Sequence, residues 1–206
     1  QRQMCIRHST DSGLMSCNTV EESVERAIQG GVSVVQLREK EASSRELFEL
    51  AKRVKRVTDK YYVPLIINDR LDICLAVDAA GVHLGQTDLP CSEARRILGA
   101  EKIIGVSAAT PEEAAKAQSD GADYLGVGAV FATSTKTNTR PVTAETIRAI
   151  RSAVDIPFVV IGGVNSENIS GLYGLGINGA AVISAIISQP DITAAARKMR
   201  QAAERL

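Results

Sequence analysis

Short β-branched runs alternate with longer amphipathic stretches along almost the whole chain, and this alternation limits the fold more than any other feature. Apolar runs occur at 32–37, 65–67, 81–84, 103–106, 124–127, 158–161 and 180–183. Each has strand length, and most lack strict polar–apolar alternation, as expected of strands buried on both faces. Between them lie segments with helix-start signatures. Thr19-Val20-Glu21-Glu22 and Ser43-Ser44-Arg45-Glu46 are capping-box patterns, a hydroxyl acceptor followed three residues on by Glu. Thr110-Pro111-Glu112-Glu113 joins a cap to Pro at the first helical position and to acidic charge at the positive end of the helix dipole. The helix opening near Ser43 should run to about Tyr62, where Val63-Pro64 stops it.

Seven strand–helix units are clear, and an eighth strand is required at the front. The one candidate is 4–8, weakly patterned and with Arg7 inside it. Eight units in 206 residues leave about 26 residues each, enough for a strand, a helix and two short loops. Consecutive parallel strands with right-handed crossovers make either an open doubly wound sheet or a closed barrel. Eight units without a linker or low-complexity tract favour the barrel. The expected architecture is α/β, a single (β/α)8 TIM barrel over residues 1–206 with a poorly patterned first strand.

Composition removes several classes of function. The 24 Lys+Arg and 24 Asp+Glu cancel, which argues against a nucleic-acid binder. Apolar residues make up 45% of the chain, which argues against disorder. Neither a signal-peptide core nor a run of about 18 apolar residues is found, so no membrane partner is expected and a cytoplasmic location is. Cys5, Cys17, Cys74 and Cys91 form no CxxC pair and lack zinc spacing, so they read as reduced thiols. With 2 histidines, a His-rich metal site is excluded. Sequence leaves open whether the protein is a homo-oligomer.

In a barrel of this kind the active site is built at the C-terminal ends of the strands. The second strand runs into Gln36, Arg38 and Lys40, whose period of two points them the same way while the strand persists. A strand end reaching solvent would also become charged. The third ends in Asn68-Asp69-Arg70 and the fourth leads to Asp88, although each aspartate could instead cap or turn the chain. Two carboxylates on neighbouring strand ends suit Mg²⁺, which usually takes one or two carboxylates plus phosphate oxygens and water. Asp69 and Asp88 would hold the ion, while Arg38 and Lys40 take the remaining diphosphate charge.

Ser107 ends the fifth strand as a compact hydroxyl donor or an ordinary turn serine. The stretch 129–141 contains Thr133-Ser134-Thr135-Lys136 and no acidic residue, so it reads as an anion-grasping lid or a solvated loop. The seventh strand ends at Gly162-Gly163 and the eighth at Ile183-Ser184. Bare backbone and a helix N-terminus there would present N–H donors to a monophosphate, at the usual phosphate site of the barrel. His83 reads equally well as a packed barrel residue or a catalytic base, and His8 carries no weight. No Ser–His–acid set can be placed, which disfavours covalent acyl transfer. The glycines within 171–176 follow a helix and read as turn glycines, not a dinucleotide loop.

Seven segments, QLREK at 36–40, IINDR at 66–70, GVHLGQTD at 81–88, GVSA at 105–108, TSTK at 133–136, IGGV at 161–164 and VISAI at 182–186, together resemble the thiamine-phosphate synthase family in order and spacing. The resemblance covers about residues 13–200. It implies that a pyrimidine diphosphate, 4-amino-2-methyl-5-hydroxymethylpyrimidine diphosphate, loses pyrophosphate. A thiazole phosphate (or its carboxylated form) then attacks the exposed methylene, giving thiamine phosphate. It also implies a dissociative, Mg²⁺-assisted mechanism with small-molecule partners. Carried over by position, Gln36, Arg38, Lys40, Asn68, Ser107 and Lys136 bind the pyrimidine diphosphate, and Glu39 is expected to bind substrate as well. Arg38, Lys40, Ser107 and Lys136 are the residues expected to act in catalysis. Asp69 and Asp88 match the magnesium ligands. Thr133, Ser134, Thr135, Gly163, Ile183 and Ser184 match the thiazole-phosphate site.

One departure stands out. The family usually begins with an apolar strand resembling YLVTD, where this chain has MCIRHSTDS, with Thr10-Asp11 as the remnant. A degraded first strand would leave an edge to repair. Two other readings compete, a thiazole tautomerase-like paralogue and a non-catalytic phosphate-ligand sensor. The paralogue should depart from the motifs at the diphosphate end, and the sensor should bind without Mg²⁺ or turnover.

Overall fold

A computed structural model describes residues 6–132 and 140–206. Eight parallel strands close into one barrel in chain order: β1 Ile6–Ser9, β2 Val34–Leu37, β3 Leu65–Asn68, β4 Gly81–Leu84, β5 Ile103–Ala108, β6 Tyr124–Gly128, β7 Phe158–Ile161 and β8 Ala180–Val182. The helices are α1 Val20–Gln29, α2 Ser44–Lys60, α3 Leu71–Ala76, α4 Cys91–Leu98, α5 Pro111–Ser119, α6 Ala144–Ala153, α7 Ser184–Ile187 and α8 Ile192–Ala203. The seven expected apolar runs all became strands, with ends shifted by at most two residues.

The start signals act as their chemistry requires. Ser43 accepts from Glu46 N while Glu46 reaches back to Ser43 N, so α2 opens on a complete capping box. At α1 the Thr19 hydroxyl accepts from Glu22 N at 3.2 Å, half of the expected box. Thr110 caps α5 in the same way, with Pro111 in its first turn. The α2 helix ends at Lys60, just short of Pro64.

The first strand corrects the expectation of a damaged edge. Ile6–Ser9 is fully buried and pairs on both sides, Arg7 opposite Val34 in β2 and opposite Ala181 in β8. Residues 1–5, including part of the strand expected at 4–8, lie outside the described residues. Along β1 the strand period of two separates two environments. Arg7 and Ser9 line the central cavity, whereas Ile6 packs in the main apolar core. His8, on the Ile6 side of the strand, is completely buried, and among the described residues neither ring nitrogen has a hydrogen-bond partner of good geometry.

Two expectations near the C-terminus change. Before the 171–176 glycines there is a single 3-10 turn, Ile169–Leu172, rather than a helix. The helix after β8 has 4 residues, too short to aim a built-up dipole at a ligand, so any donors at Ile183 and Ser184 are local peptide groups. The core fills the layer between barrel and helices, with Val35, Ile67, Val82, Ile104, Leu125 and Val160 all inaccessible. No described helix is long and apolar enough to cross a membrane. Cys17, Cys74 and Cys91 are free thiols, and Cys5 lies outside the described residues. Burial pushes the Cys74 thiol up to about 11, which keeps it from acting as a nucleophile.

Candidate active site

A cavity of about 730 Å³ opens at the C-terminal ends of the strands. It collects nearly every described residue that the sequence placed at the rim. From β2 and the turn after it come Gln36, Arg38 and Lys40, and from the end of β3 come Asn68 and Asp69. Asp88 and Ser107 continue the wall, and Gly163, Ile183 and Ser184 complete the far side. Gln36, Arg38 and Lys40 all line the cavity, but β2 ends at Leu37, so strand alternation accounts for Gln36 alone and the turn after β2 presents Arg38 and Lys40.

Glu39 is placed differently. Its carboxylate accepts from Ser12 Oγ at 2.6 Å, from Ser12 N at 3.2 Å and from Thr10 Oγ1 at 3.3 Å, and it is not part of the cavity lining. Thr10 also accepts from Arg38 N at 2.9 Å. The segment after β1 thus clamps the turn that carries Arg38, and Glu39 serves that clamp. Thr133, Ser134, Thr135 and Lys136 lie outside the described residues.

The wall formed by the ends of β2 and β3 has donors and acceptors to spare. Gln36 Nε2 donates to Asn68 Oδ1 at 2.6 Å, while Gln36 Oε1 is buried without a partner among the described residues. Arg38 pairs with Asp11 at 3.4 Å, and its buried Nε has no acceptor among the described residues. Buried polar groups are normally satisfied, so orphans lining a cavity point to a ligand that supplies the missing partner.

Asp69 and Asp88 are hard oxygen donors next to the ends of adjacent strands, β3 and β4, and both line the cavity. Asp69 adopts φ +62°, and its N–H donates to His83 O at 2.9 Å. Asp88 accepts from Gly85 N at 2.7 Å, which fixes one of its oxygens. Among the described residues no cluster of three or more His, Cys, Asp or Glu could hold a metal. Two carboxylates fit an ion that draws its remaining oxygens from phosphate and water, and Mg²⁺ is the usual one.

The far side is bare backbone by necessity. Gly163 has φ +64°, and a Cβ there would lie 2.4 Å from Ala132 O and 2.8 Å from Phe131 Cβ. Asn168 Nδ2 donates to Gly163 O at 2.8 Å and holds that peptide in place.

Arg7, Gln86, Glu113 and Arg140 also line the cavity although the sequence pointed to no site role for them, whereas His83 stood open between a packed residue and a catalytic base. Arg7 and His83 form the cavity floor, with His83 at once packed and facing the cavity. Gln86 Nε2 donates to Ser107 O at 2.6 Å. Glu113 and Arg140, paired at 2.5 Å, also line the cavity. Glu113 gave a signal as a helix-start residue, which hid its second use. Arg7 gave only an apparent defect in an apolar strand.

A family model for thiamine monophosphate synthase matches residues 8–186. A thiamine-phosphate synthase of Ruminiclostridium cellulolyticum is 58% identical over 190 residues, 92% of this chain and 90% of that protein. One from Clostridium botulinum is 52% identical over 197 residues, 96% of this chain and 92% of that protein. Among solved structures, thiamine phosphate pyrophosphorylase from Pyrococcus furiosus superposes with a TM-score of 0.90 at 38% identity, covering 98% of this chain and 96% of that one.

Proposed function

The chain belongs to the thiamine monophosphate synthase family, transferases that form thiamine phosphate and release pyrophosphate, and from that membership we propose how its cavity carries out the reaction. The bond between the pyrimidine methylene and the diphosphate oxygen breaks, and its electron pair leaves with pyrophosphate. The thiazole nitrogen then donates its pair to the methylene carbon, giving thiamine phosphate. The electron-rich aminopyrimidine supports the cation formed between the two events, so no protein nucleophile is needed. The chain's part is to stabilise negative charge as it builds on the leaving group.

The observation that carries this reading is the convergence of Arg38, Lys40, Asp69 and Asp88 on one cavity wall, with buried hydrogen-bonding atoms of Gln36 and Arg38 left unpartnered. Arg38 and Lys40 take the diphosphate oxygens, Arg38 through the Nε that lacks an acceptor. Gln36, Asn68 and Ser107 orient the pyrimidine half. Asp69 and Asp88 would hold Mg²⁺, which when bound supplies charge to the departing diphosphate. Gly163, Ile183 and Ser184 receive the thiazole phosphate on backbone groups and a hydroxyl. Thr133, Ser134 and Thr135 are assigned to the same phosphate, and Lys136 to the leaving pyrophosphate, on family resemblance. We place the reaction in the cytoplasm, because phosphorylated substrates of this charge do not cross a bilayer unaided.

The experiment is pyrophosphate release by the purified protein given both half-substrates, with Mg²⁺ and with the metal chelated. Release that needs the metal, matched by thiamine phosphate, supports the assignment. Binding of thiazole phosphate without any release would move the function to a sensor or tautomerase-like role.

A further inference from the structure

The floor of the cavity is built around a buried cation. Arg7 is 1% exposed, sits inside the barrel and has no carboxylate within 4 Å among the described residues. A guanidinium is expensive to bury unless it is hydrogen-bonded. Neither of its side-chain partners is a carboxylate. Arg7 Nη1 lies 3.0 Å from His83 Nδ1 and 3.1 Å from Tyr124 Oη, and its Cζ stands 5.6 Å from the Tyr124 ring centroid. His83 Nδ1 is also 3.0 Å from Tyr124 Oη, and His83 Nε2 is 3.0 Å from Ser107 Oγ.

The barrel makes room for this group. A Cβ on Gly126 would lie 3.0 Å from His83 Cε1 and 3.5 Å from Arg7 Nη2, and one on Gly105 would lie 2.4 Å from Tyr124 Oη. Both strand positions must stay bare for the cluster to exist.

The direction of each hydrogen bond follows from what Arg7 can do. A guanidinium only donates, so an imidazole nitrogen facing it must accept. With Nδ1 accepting, the ring hydrogen sits on Nε2 and points at Ser107 Oγ, which accepts it. Ser107, a cavity-lining residue, then has its own hydrogen left to donate. Had Nε2 been the acceptor, the Ser107 hydrogen would be spent on the imidazole.

We propose that Arg7 is a positioning residue, which by fixing the imidazole of His83 as donor to Ser107 makes the Ser107 hydroxyl a hydrogen-bond donor to an acceptor atom of the bound pyrimidine substrate. The inference rests on the assignment of Ser107 to the pyrimidine diphosphate site.

The test uses ring ¹⁵N chemical shifts of the full chain, which report the tautomer directly. With 2 histidines in the sequence, a His8→Leu variant assigns the signals. The expected result is a His83 ring protonated at Nε2 in the unsubstituted protein and in Arg7→Lys, and a mixture of tautomers in Arg7→Met. Protonation at Nδ1 in the unsubstituted protein overturns the proposal, and that measurement holds even if Arg7→Met fails to fold.

A double-mutant cycle checks the route. Arg7→Met should lower kcat/KM about tenfold, but about twofold or less on a Ser107→Ala background. Equal losses on both backgrounds overturn the proposal. If Ser107→Ala alone leaves turnover intact, the substrate assignment of Ser107 fails, and with it the purpose given to Arg7. The tautomer shifts then show separately whether the Arg7–His83 contact was read correctly.

Discussion

Gln36 Nε2 and Asn68 Oδ1 lie 2.6 Å apart and join the ends of two neighbouring strands, β2 and β3, across the cavity wall. The bond turns the Gln36 amide so that its Oε1 is the atom left buried and, among the described residues, unpartnered. A side chain fixed in this way needs little reordering when a substrate donor arrives. We therefore expect Gln36→Leu to raise KM for the pyrimidine diphosphate about tenfold, as for loss of one well-placed hydrogen bond. Steady-state kinetics with each substrate varied in turn should show KM for thiazole phosphate within about twofold of its starting value. A rise of equal size for both substrates would make Gln36 a general structural residue.

Asp69 tests the metal assignment. Its φ of +62° is unfavourable for most side chains, so Asp69→Ala would mix backbone strain with lost chemistry. Asp69→Asn keeps a residue tolerant of that conformation while removing the charge. Turnover should fall by about a hundredfold or more, the scale of losing one preorganised electrostatic contact. Affinity for thiazole phosphate, read by calorimetry, should stay unchanged. Parallel loss of both would mean that Asp69 shapes the barrel end.

The bare backbone at Gly163 gives a complementary result. Gly163→Ala would place a methyl 2.4 Å from Ala132 O at φ +64°, so the peptide must move. The strain is about 1–3 kcal/mol. Thiazole-phosphate affinity should weaken several-fold with pyrimidine-diphosphate affinity little altered, and equilibrium binding of each ligand measures both. Unchanged thiazole-phosphate affinity would take Gly163 out of the phosphate site.

His8 sets an acid limit on stability. Burial pushes its imidazole from 6.5 down to about 4, against a smaller opposing pull from the Val182 backbone. Between those two values the unfolded chain binds a proton that the folded one refuses, so stability rises with pH. The contribution is complete above about 6.5 and is lost as pH falls to about 4, a total of about 3 kcal/mol. Urea unfolding across that range should show a shallower pH dependence in His8→Leu than in the unsubstituted protein. The same slope in both would show that His8 is not held neutral in the fold.

The sequence by itself determined the architecture and most of the rim. Short apolar runs and capping boxes are local signals, since burial of a strand or the start of a helix depends on residues a few positions apart. Seven of the eight strands were legible for that reason, and Gln36, Arg38, Lys40, Asn68, Asp69, Asp88 and Ser107 could be placed because a barrel brings all strand ends to one face.

What the sequence could not decide was which side chains meet across the barrel. Arg7 looked like damage to a strand because its partners, His83 and Tyr124, are 76 and 117 residues away. Glu39 sits in the motif of the site yet serves Ser12 and Thr10, 27 and 29 residues before it. The local pattern places a side chain on one face of a strand, but its partner depends on barrel closure and strand register. Only the closed barrel fixes both, and it turned an apparent defect in β1 into part of the cavity lining.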